Sequence, residues 1–495
     1  MKFCFESRQF IDVNTDCNKF AVIGENIGLN WSEFKSSVEH LSHFLRSECE
    51  LIHELPVIIY GHKNAEMVAA MYACIHANIP YIPIDEVYPK NRLERIAEIA
   101  GAQCIINCSG QDLVNVAGVT EIMYVHDQSP VIERKTFIPN ALRFLSTADP
   151  VVYIIFTSGS TGEPKGVQIS NEAILSFTRW MTNDFGFTSA DVFANIAVFS
   201  FDLSVFELMT FGALGSTLLL NGKNTLEKPD DFLLRLNKYK ATVWVSTPSF
   251  CLIYAREIFS EIESNISFFL FCGEVLPHAL AASLNKYYPS SKVFNTYGPT
   301  EATVATSLVE IDAEILDKYP LLPVGFPKRE CEITIEENEI VIHGAHVSLG
   351  YLNRPDLNEV KFGLKENVRY FKTGDLGYIE DGMLFCKGRN DDQVKLRGYR
   401  IELNEITAKV DALSFIEKSA TIALKRNEEV KKIVTLVTLK NEVDFDVKAA
   451  VFESLKASLP EYMIPSDIKV IDQIPLNQNG KADRNLLTEI YLKRT

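Results

Sequence analysis

Residues Tyr153-Ile-Ile-Phe-Thr157-Ser158-Gly159-Ser160-Thr161-Gly162-Glu163-Pro164-Lys165-Gly166 form an apolar run that breaks into glycines and hydroxyls and ends on a lysine. Glycines let backbone amides converge on phosphate oxygens, hydroxyls add donors, and Lys165 supplies a mobile cation. The GxxxxGK(S/T) spacing of a Walker A loop is absent, so this is an anion loop of another kind. A flexible Ser/Gly loop without function has the same composition, so other segments must decide. Three of them pair turn residues with charge: Asn295-Thr-Tyr-Gly-Pro-Thr-Glu301, Thr373-Gly-Asp375 and Pro475-Leu-Asn-Gln-Asn-Gly-Lys481. A fourth, Phe201-Asp202-Leu203-Ser204, sets a carboxylate among apolar residues. Each acid and lysine taken alone reads as an ordinary solvated charge.

The elements that must position these residues are legible as patterns. Up to about residue 330, buried strands (Leu55–Tyr60, Tyr81–Ile84, Val243–Val245, Phe268–Phe271, Lys292–Asn295) alternate with helical spacing such as Asn64–Ala77. Strand–helix alternation predicts parallel sheets covered on both faces. From about 330 to 387 the rhythm gives way to short strands and turns (Cys331–Ile335, Glu339–His343, Arg369–Phe371), a small β subdomain. The rest predicts a compact α+β unit: helix Leu403–Ala412, a hairpin of Ala420–Lys425 and Lys432–Thr438, helix Val447–Leu459 and strand Lys469–Ile471. The polar, Gly-bounded run Gly388-Arg-Asn-Asp-Asp392 is the expected junction. The expected division is residues 1–387, a hinge at 388–392 and a small domain at 393–495.

Composition sets outer limits. The chain has 495 residues, 47% hydrophobic and 23% charged, as expected of two well-cored domains. A net charge of −16 and a pI near 5.2 argue against a broad nucleic-acid surface, which needs a basic patch. No apolar run is long enough for membrane insertion, and Met1–Arg8 leads into no signal-peptide core. Ten scattered cysteines without a CxxC pair support neither a zinc site nor a disulfide framework. Buried thiols in a reducing cytoplasm are the expectation.

In order along the chain, these motifs resemble those of the adenylate-forming superfamily, which includes acyl-CoA synthetases, luciferases and the adenylation domains of nonribosomal peptide synthetases. The resemblance covers nearly the whole chain. It implies an α/β fold with a large N-terminal domain (two αβ-layered sheets plus a β subdomain) and a small mobile α+β C-terminal domain. It implies a ligase in which a carboxylate attacks the α-phosphate of ATP, with Mg²⁺ as cofactor. Two anions must then meet, so the site has to neutralise charge and hold geometry. By resemblance, Thr157, Ser158, Gly159, Thr161, Gly162 and Lys165 handle the triphosphate, and Glu301 holds the metal with Thr300 nearby. Gly273, Glu274, Asn295, Thr296, Tyr297 and Gly298 are further ATP-binding positions, with Tyr297 stacking on the adenine and Asn295 on its amino edge. Asp375 accepts the ribose hydroxyls, Arg389 reaches ribose or phosphates, Lys481 bridges the substrate carboxylate and ATP, and Asp391 is the hinge.

The same resemblance implies the substrate. Asp202 would pair with an α-ammonium group, which favours an amino acid over a plain acid. Leu203, Phe206, Ser246, Leu270, Cys272, Thr296, Val304 and Ala305 match the specificity-pocket positions. None is a second charge and Phe206 is bulky, so the side chain served should be small. The pocket segments resemble most the branch that activates D-alanine and loads it onto a carrier protein, with Cys272 as the reader of chirality. Phe206, Val198, Phe371 and Ile75-His-Ala-Asn78 depart from that branch. Glycine, L-alanine or serine activation for a peptide-synthetase type of pathway is the alternative, with an acyl-CoA synthetase of the same fold behind it. The chain ends at Thr495 with no phosphopantetheine attachment motif after Lys481. A phosphopantetheinylated carrier protein acting in trans is therefore the expected acceptor, with Lys395, Arg397 and Arg400 as candidate docking cations.

Overall fold

A computed structural model describes residues 15–47, 55–111, 119–124, 131–134, 149–159, 163–254, 265–389, 391–426, 429–475 and 482–493. By its internal contacts the chain divides into two units: residues 1–86, 97–155 and 166–390, and residues 87–96, 156–165 and 391–495.

The first unit is built on two large sheets. Among the described residues one has nine strands, in the order 326–327, 307–310, 292–297, 268–271, 243–246, 192–195, 217–220, 20–23 and 28–30. Its inner strands run parallel, and antiparallel pairs close both edges. Thr217–Leu220 and Val243–Ser246 are buried throughout, as a sheet covered on both faces requires. The other sheet has seven strands in the order 131–134, 120–123, 104–107, 57–61, 81–85, 151–157 and 165–170. Helix Ala65–Ala77 is buried on nearly every side. Asn64 caps its start by accepting from the Met67 amide, and Asn78 ends it in the left-handed region at φ 55°.

The β subdomain is a five-stranded antiparallel sheet of 331–336, 339–344, 368–380, 362–365 and 383–389. The segment expected as Arg369–Phe371 belongs to a strand that runs from Val368 to Glu380, because it pairs along its length with three neighbours, 362–365, 339–344 and 383–389, the last with a register shift at Leu376–Gly377. Buried Tyr297 and Ala302 join Ile340, Ile342, Phe371 and Leu384 in one apolar cluster, which anchors this sheet against the 292–297 strand.

In the second unit, strands 416–426 and 429–439 form an antiparallel pair extended in parallel by 467–470, beside the hairpin 393–396/399–402. Helices Leu403–Asp411 and Val447–Ser458 cover it through Ile406, Val410, Val451 and Leu455. Among the described residues no helix is long and apolar enough to cross a membrane.

Candidate active site

Strand Val192–Asn195 ends on a loop that leads to a single 3-10 turn, Asp202–Ser204, and then to helix Val205–Leu214. The Ser204 amide donates to the Phe201 carbonyl and so does the Ser204 hydroxyl, which fixes the turn. Asp202 is buried there. Leu203, Phe206, Leu270, Cys272, Val304 and Ala305 lie in one continuous apolar core. Phe206 is fully buried and meets Phe177 edge-to-face at 5.3 Å. Cys272 Sγ faces the Val304 carbonyl at 3.9 Å.

Ser246 stands apart from that group. Its Oγ accepts from Trp244 Nε1 at 2.7 Å and donates to the Thr247 carbonyl. Trp244 belongs to the core on the opposite face of the sheet. Thr296 also directs its hydroxyl into the sheet, to the Phe271 carbonyl at 2.9 Å.

The segment after Pro299 is tightly wound. Thr300–Ala302 is a 3-10 turn, followed by two β-branched residues in the left-handed region, Thr303 (φ 55°) and Val304 (φ 69°). Such backbone is costly, of order 1–3 kcal/mol per residue, and clusters at binding and catalytic sites. Thr303 Oγ1 holds it by donating to the His346 carbonyl at 2.7 Å. Gly298 is required beneath it, since a Cβ there would lie 2.4 Å from the Ala305 Cα. Glu301 is wholly buried. Its Oε1 accepts from Tyr351 Oη at 2.6 Å, and its carbonyl accepts from the Ser348 amide.

Asp375 and Arg389 face each other across paired strands. Arg389 Nη1 donates to Asp375 Oδ1 at 2.5 Å and Nη2 to the Thr373 carbonyl. Tyr297 Oη donates to Asp375 Oδ2 at 2.6 Å, and burial beside that carboxylate pushes the Tyr297 phenol well up. Both Asp375 oxygens thus carry a protein donor, one of them Arg389. Each carboxylate oxygen keeps a second lone pair. Asn295 Nδ2 donates to the Pro323 carbonyl, while its buried Oδ1 meets no donor among the described residues. That is the arrangement an incoming amino N–H needs. Gly273, at φ 92°, precedes Glu274, whose Oε2 accepts from the Ser249 amide.

In the second unit, the anion loop is engaged by the chain's own carboxylates. The Gly159 amide donates to Glu405 Oε2 at 3.0 Å, and Lys165 Nζ to Glu402 Oε1 at 3.3 Å. Ser158 Oγ donates to the Arg400 carbonyl and accepts from the Glu402 amide. Arg92 Nη1 meets the other Glu405 oxygen at 3.1 Å. The buried Thr157 hydroxyl has no partner among the described residues. Asp391 Oδ1 accepts from the Gln393 amide at the start of the hairpin 393–402. Thr161, Gly162 and Lys481 lie outside the described residues.

Tyr351, Glu402, Glu405 and Arg92 were not among the residues singled out from sequence. Glu402 ends the Tyr399-Arg-Ile-Glu402 run and Tyr351 follows Gly350, but only the long-range contacts reveal what they hold. Among the described residues no group of three or more His, Cys, Asp or Glu side chains could hold a metal unaided.

The AMP-binding enzyme family matches residues 10–352, and the AMP-binding enzyme C-terminal domain matches residues 405–481. The chain is 37% identical to the D-alanine–D-alanyl carrier protein ligase of Bacillus cereus (strain B4264), covering 95% of this chain and 96% of that protein. It is equally similar, over the same shares, to the ligase of that name from Bacillus anthracis. Among solved structures it resembles the Vibrio cholerae adenylation domain AlmE in complex with glycyl-adenosine-5'-phosphate, at a TM-score of 0.83 and 20% identity, covering 100% of this chain and 99% of that one. It also resembles IdnL1, at a TM-score of 0.80 and 23% identity, covering 92% and 96%.

Proposed function

The chain belongs to the AMP-binding enzyme family, and from that premise we propose that it is a ligase that activates a small amino acid, D-alanine first, with ATP as the aminoacyl-adenylate. It then passes the aminoacyl group to the phosphopantetheine thiol of a separate carrier protein. One observation carries the substrate class. The buried Asp202 heads the turn that carries Leu203 and leads to Phe206, and these two share one apolar core with Leu270, Cys272, Val304 and Ala305. A carboxylate so placed favours a cationic partner, which an α-ammonium group supplies and a fatty acid does not. The apolar residues offer no second charge, and fully buried Phe206 limits the side chain to something small. Cys272, whose Sγ faces the Val304 carbonyl, would read the enantiomer, as the motif resemblance implies.

ATP would be bound by complementary parts. Asn295 Oδ1 takes the adenine amino group, and Asp375, oriented by Tyr297 and Arg389, takes the ribose hydroxyls. Thr157, the Gly159 amide and Lys165 supply donors for the phosphates once Glu402 and Glu405 release them. Glu301, with one oxygen fixed by Tyr351, fits Mg²⁺, which commonly takes one or two carboxylates and completes its shell with phosphate oxygens and water. Bound there, the ion would supply charge neutralisation at the phosphates. Lys481 and the Asp391 hinge keep the roles that the motif resemblance implies.

The deciding measurement is amino-acid-dependent pyrophosphate release with ATP and Mg²⁺, across D-alanine, L-alanine, glycine, serine and a medium-chain fatty acid. D-alanine should turn over best. Preference for another of the amino acids would move the enzyme to a different carrier pathway, and turnover of the fatty acid alone would overturn the role of Asp202.

A further inference from the structure

Lys63 is a fully buried lysine that the chemistry above does not use. It sits in the turn between strand Val57–Gly61 and helix Ala65–Ala77, with its backbone in the left-handed region at φ 43°. Its side chain reaches the other large sheet of the same unit. There Nζ donates to the Ile196 carbonyl at 2.6 Å and to the Asn195 carbonyl at 3.3 Å. These carbonyls lie where strand Val192–Asn195 ends and the loop to Asp202 begins.

The far end of that loop carries the counter-charge. Glu207, in the first turn of helix Val205–Leu214, is wholly buried. Among the described residues its carboxylate oxygens meet no donor at hydrogen-bond geometry, although the Ile196 amide and the Asn195 side chain lie beside it. Burial raises the Glu207 carboxyl and lowers the Lys63 ammonium, and each opposes the other's shift. Within the loop, Asn195 Nδ2 donates to the Ala197 carbonyl and the Phe201 amide to the Val198 carbonyl, the Ser204 amide and hydroxyl close the turn on the Phe201 carbonyl, and Asn221 Nδ2 braces the Asn195 carbonyl.

We propose that Lys63 is a positioning residue for the amino-acid pocket: its ammonium, hydrogen-bonded to the carbonyls entering the 197–206 segment and balanced by Glu207 at the exit, clips the segment that presents Asp202, Leu203 and Phe206. This rests on the reading of Asp202 as the amine-binding residue. A buried pair replaced by neutral groups can leave stability intact. The clip, by contrast, depends on a donor directed at two carbonyls, and misplacing a binding group by about 1 Å can cost roughly a hundredfold.

The test uses Lys63→Met, Lys63→Arg and the double variant Lys63→Met/Glu207→Gln, which removes both charges so that folding is not the limiting step. Two readouts are made: KM for the preferred amino acid against KM for ATP by pyrophosphate exchange, and hydrogen exchange of the amides in 197–206. The double variant is expected to fold, to raise the amino-acid KM about tenfold or more with the ATP KM within about twofold, and to speed exchange in 197–206. Lys63→Arg should recover part of the amino-acid KM. Unchanged exchange in 197–206 in the folded double variant, or amino-acid and ATP KM values that rise together, would overturn the assignment. If the unsubstituted enzyme activates no amino acid, the reading of Asp202 fails instead, and the exchange result alone decides for or against the clip.

Discussion

At the residue scale, the proposed pocket turns on one charge. Asp202 is buried at the head of the 3-10 turn, and the core beyond it is apolar. Asp202→Asn keeps the volume and much of the hydrogen-bonding capacity but removes the charge. The expected result is a loss of about 2–3 kcal/mol in amino-acid recognition, roughly a hundredfold in kcat/KM for the amino acid, with nucleotide binding retained. Pyrophosphate exchange set beside ATP binding by calorimetry checks this, and equal turnover in the variant would remove Asp202 from the site. Asp202, Glu301 and Asp375 were legible because each sits in a short motif whose order along the chain is itself informative. Tyr351 was not, since its importance is a hydrogen bond to Glu301, 50 positions away, and nothing local marks a tyrosine that will meet a buried carboxylate. The bond between Arg389 and Asp375 was hidden for the same reason: it follows from strand register, which the sequence does not print.

At the element scale, the helices and strands around the site are held by close approaches. Helix Val205–Leu214, which follows Asp202 directly, passes so near Tyr72 that a Cβ at Gly212 would lie 2.0 Å from the Tyr72 oxygen. That hydroxyl donates to the Leu208 carbonyl of the same helix at 2.6 Å, and Tyr72 packs edge-to-face on Phe34 and Phe211. Gly212→Ala should therefore push the helix off its neighbour, destabilising the fold by about 1–3 kcal/mol despite alanine's better helix propensity. Thermal denaturation reads this directly. An unchanged or higher midpoint would mean the two helices can part without loss. The elements themselves were largely readable, because fully buried parallel strands appear as continuous apolar runs. Phe268–Phe271 and helix 65–77 emerge within a residue or so of expectation. What escaped was irregularity: the strand that runs from Val368 to Glu380 through a register shift, and the left-handed pair Thr303–Val304. Both are imposed by packing against neighbours rather than by local preference, and β-branched residues give no warning of a positive φ.

At the scale of the whole molecule, the question is how a chain of net charge −16 receives a triphosphate. In the proposed reading the answer is local: the Thr157 and Ser158 hydroxyls, the Gly159 amide and Lys165 supply the donors. Within the second unit, however, those donors meet Glu402 and Glu405, brought to residues 158–165 from more than 230 positions away. A buried lysine–carboxylate pair gains from mutual attraction what it loses in hydration, so phosphate oxygens must displace a partner already in place. Glu402→Gln keeps the shape of that partner and removes its charge. Lys165 then has less to give up when nucleotide arrives, and KM for ATP should fall about three- to tenfold while the fold loses some stability. Because the pair is buried, salt should barely change this difference, whereas an exposed pair would be screened within about a Debye length. Pyrophosphate exchange at two ionic strengths measures both effects. A KM for ATP that stays the same or rises in a folded Glu402→Gln variant would mean that Glu402 assists nucleotide binding instead of competing with it.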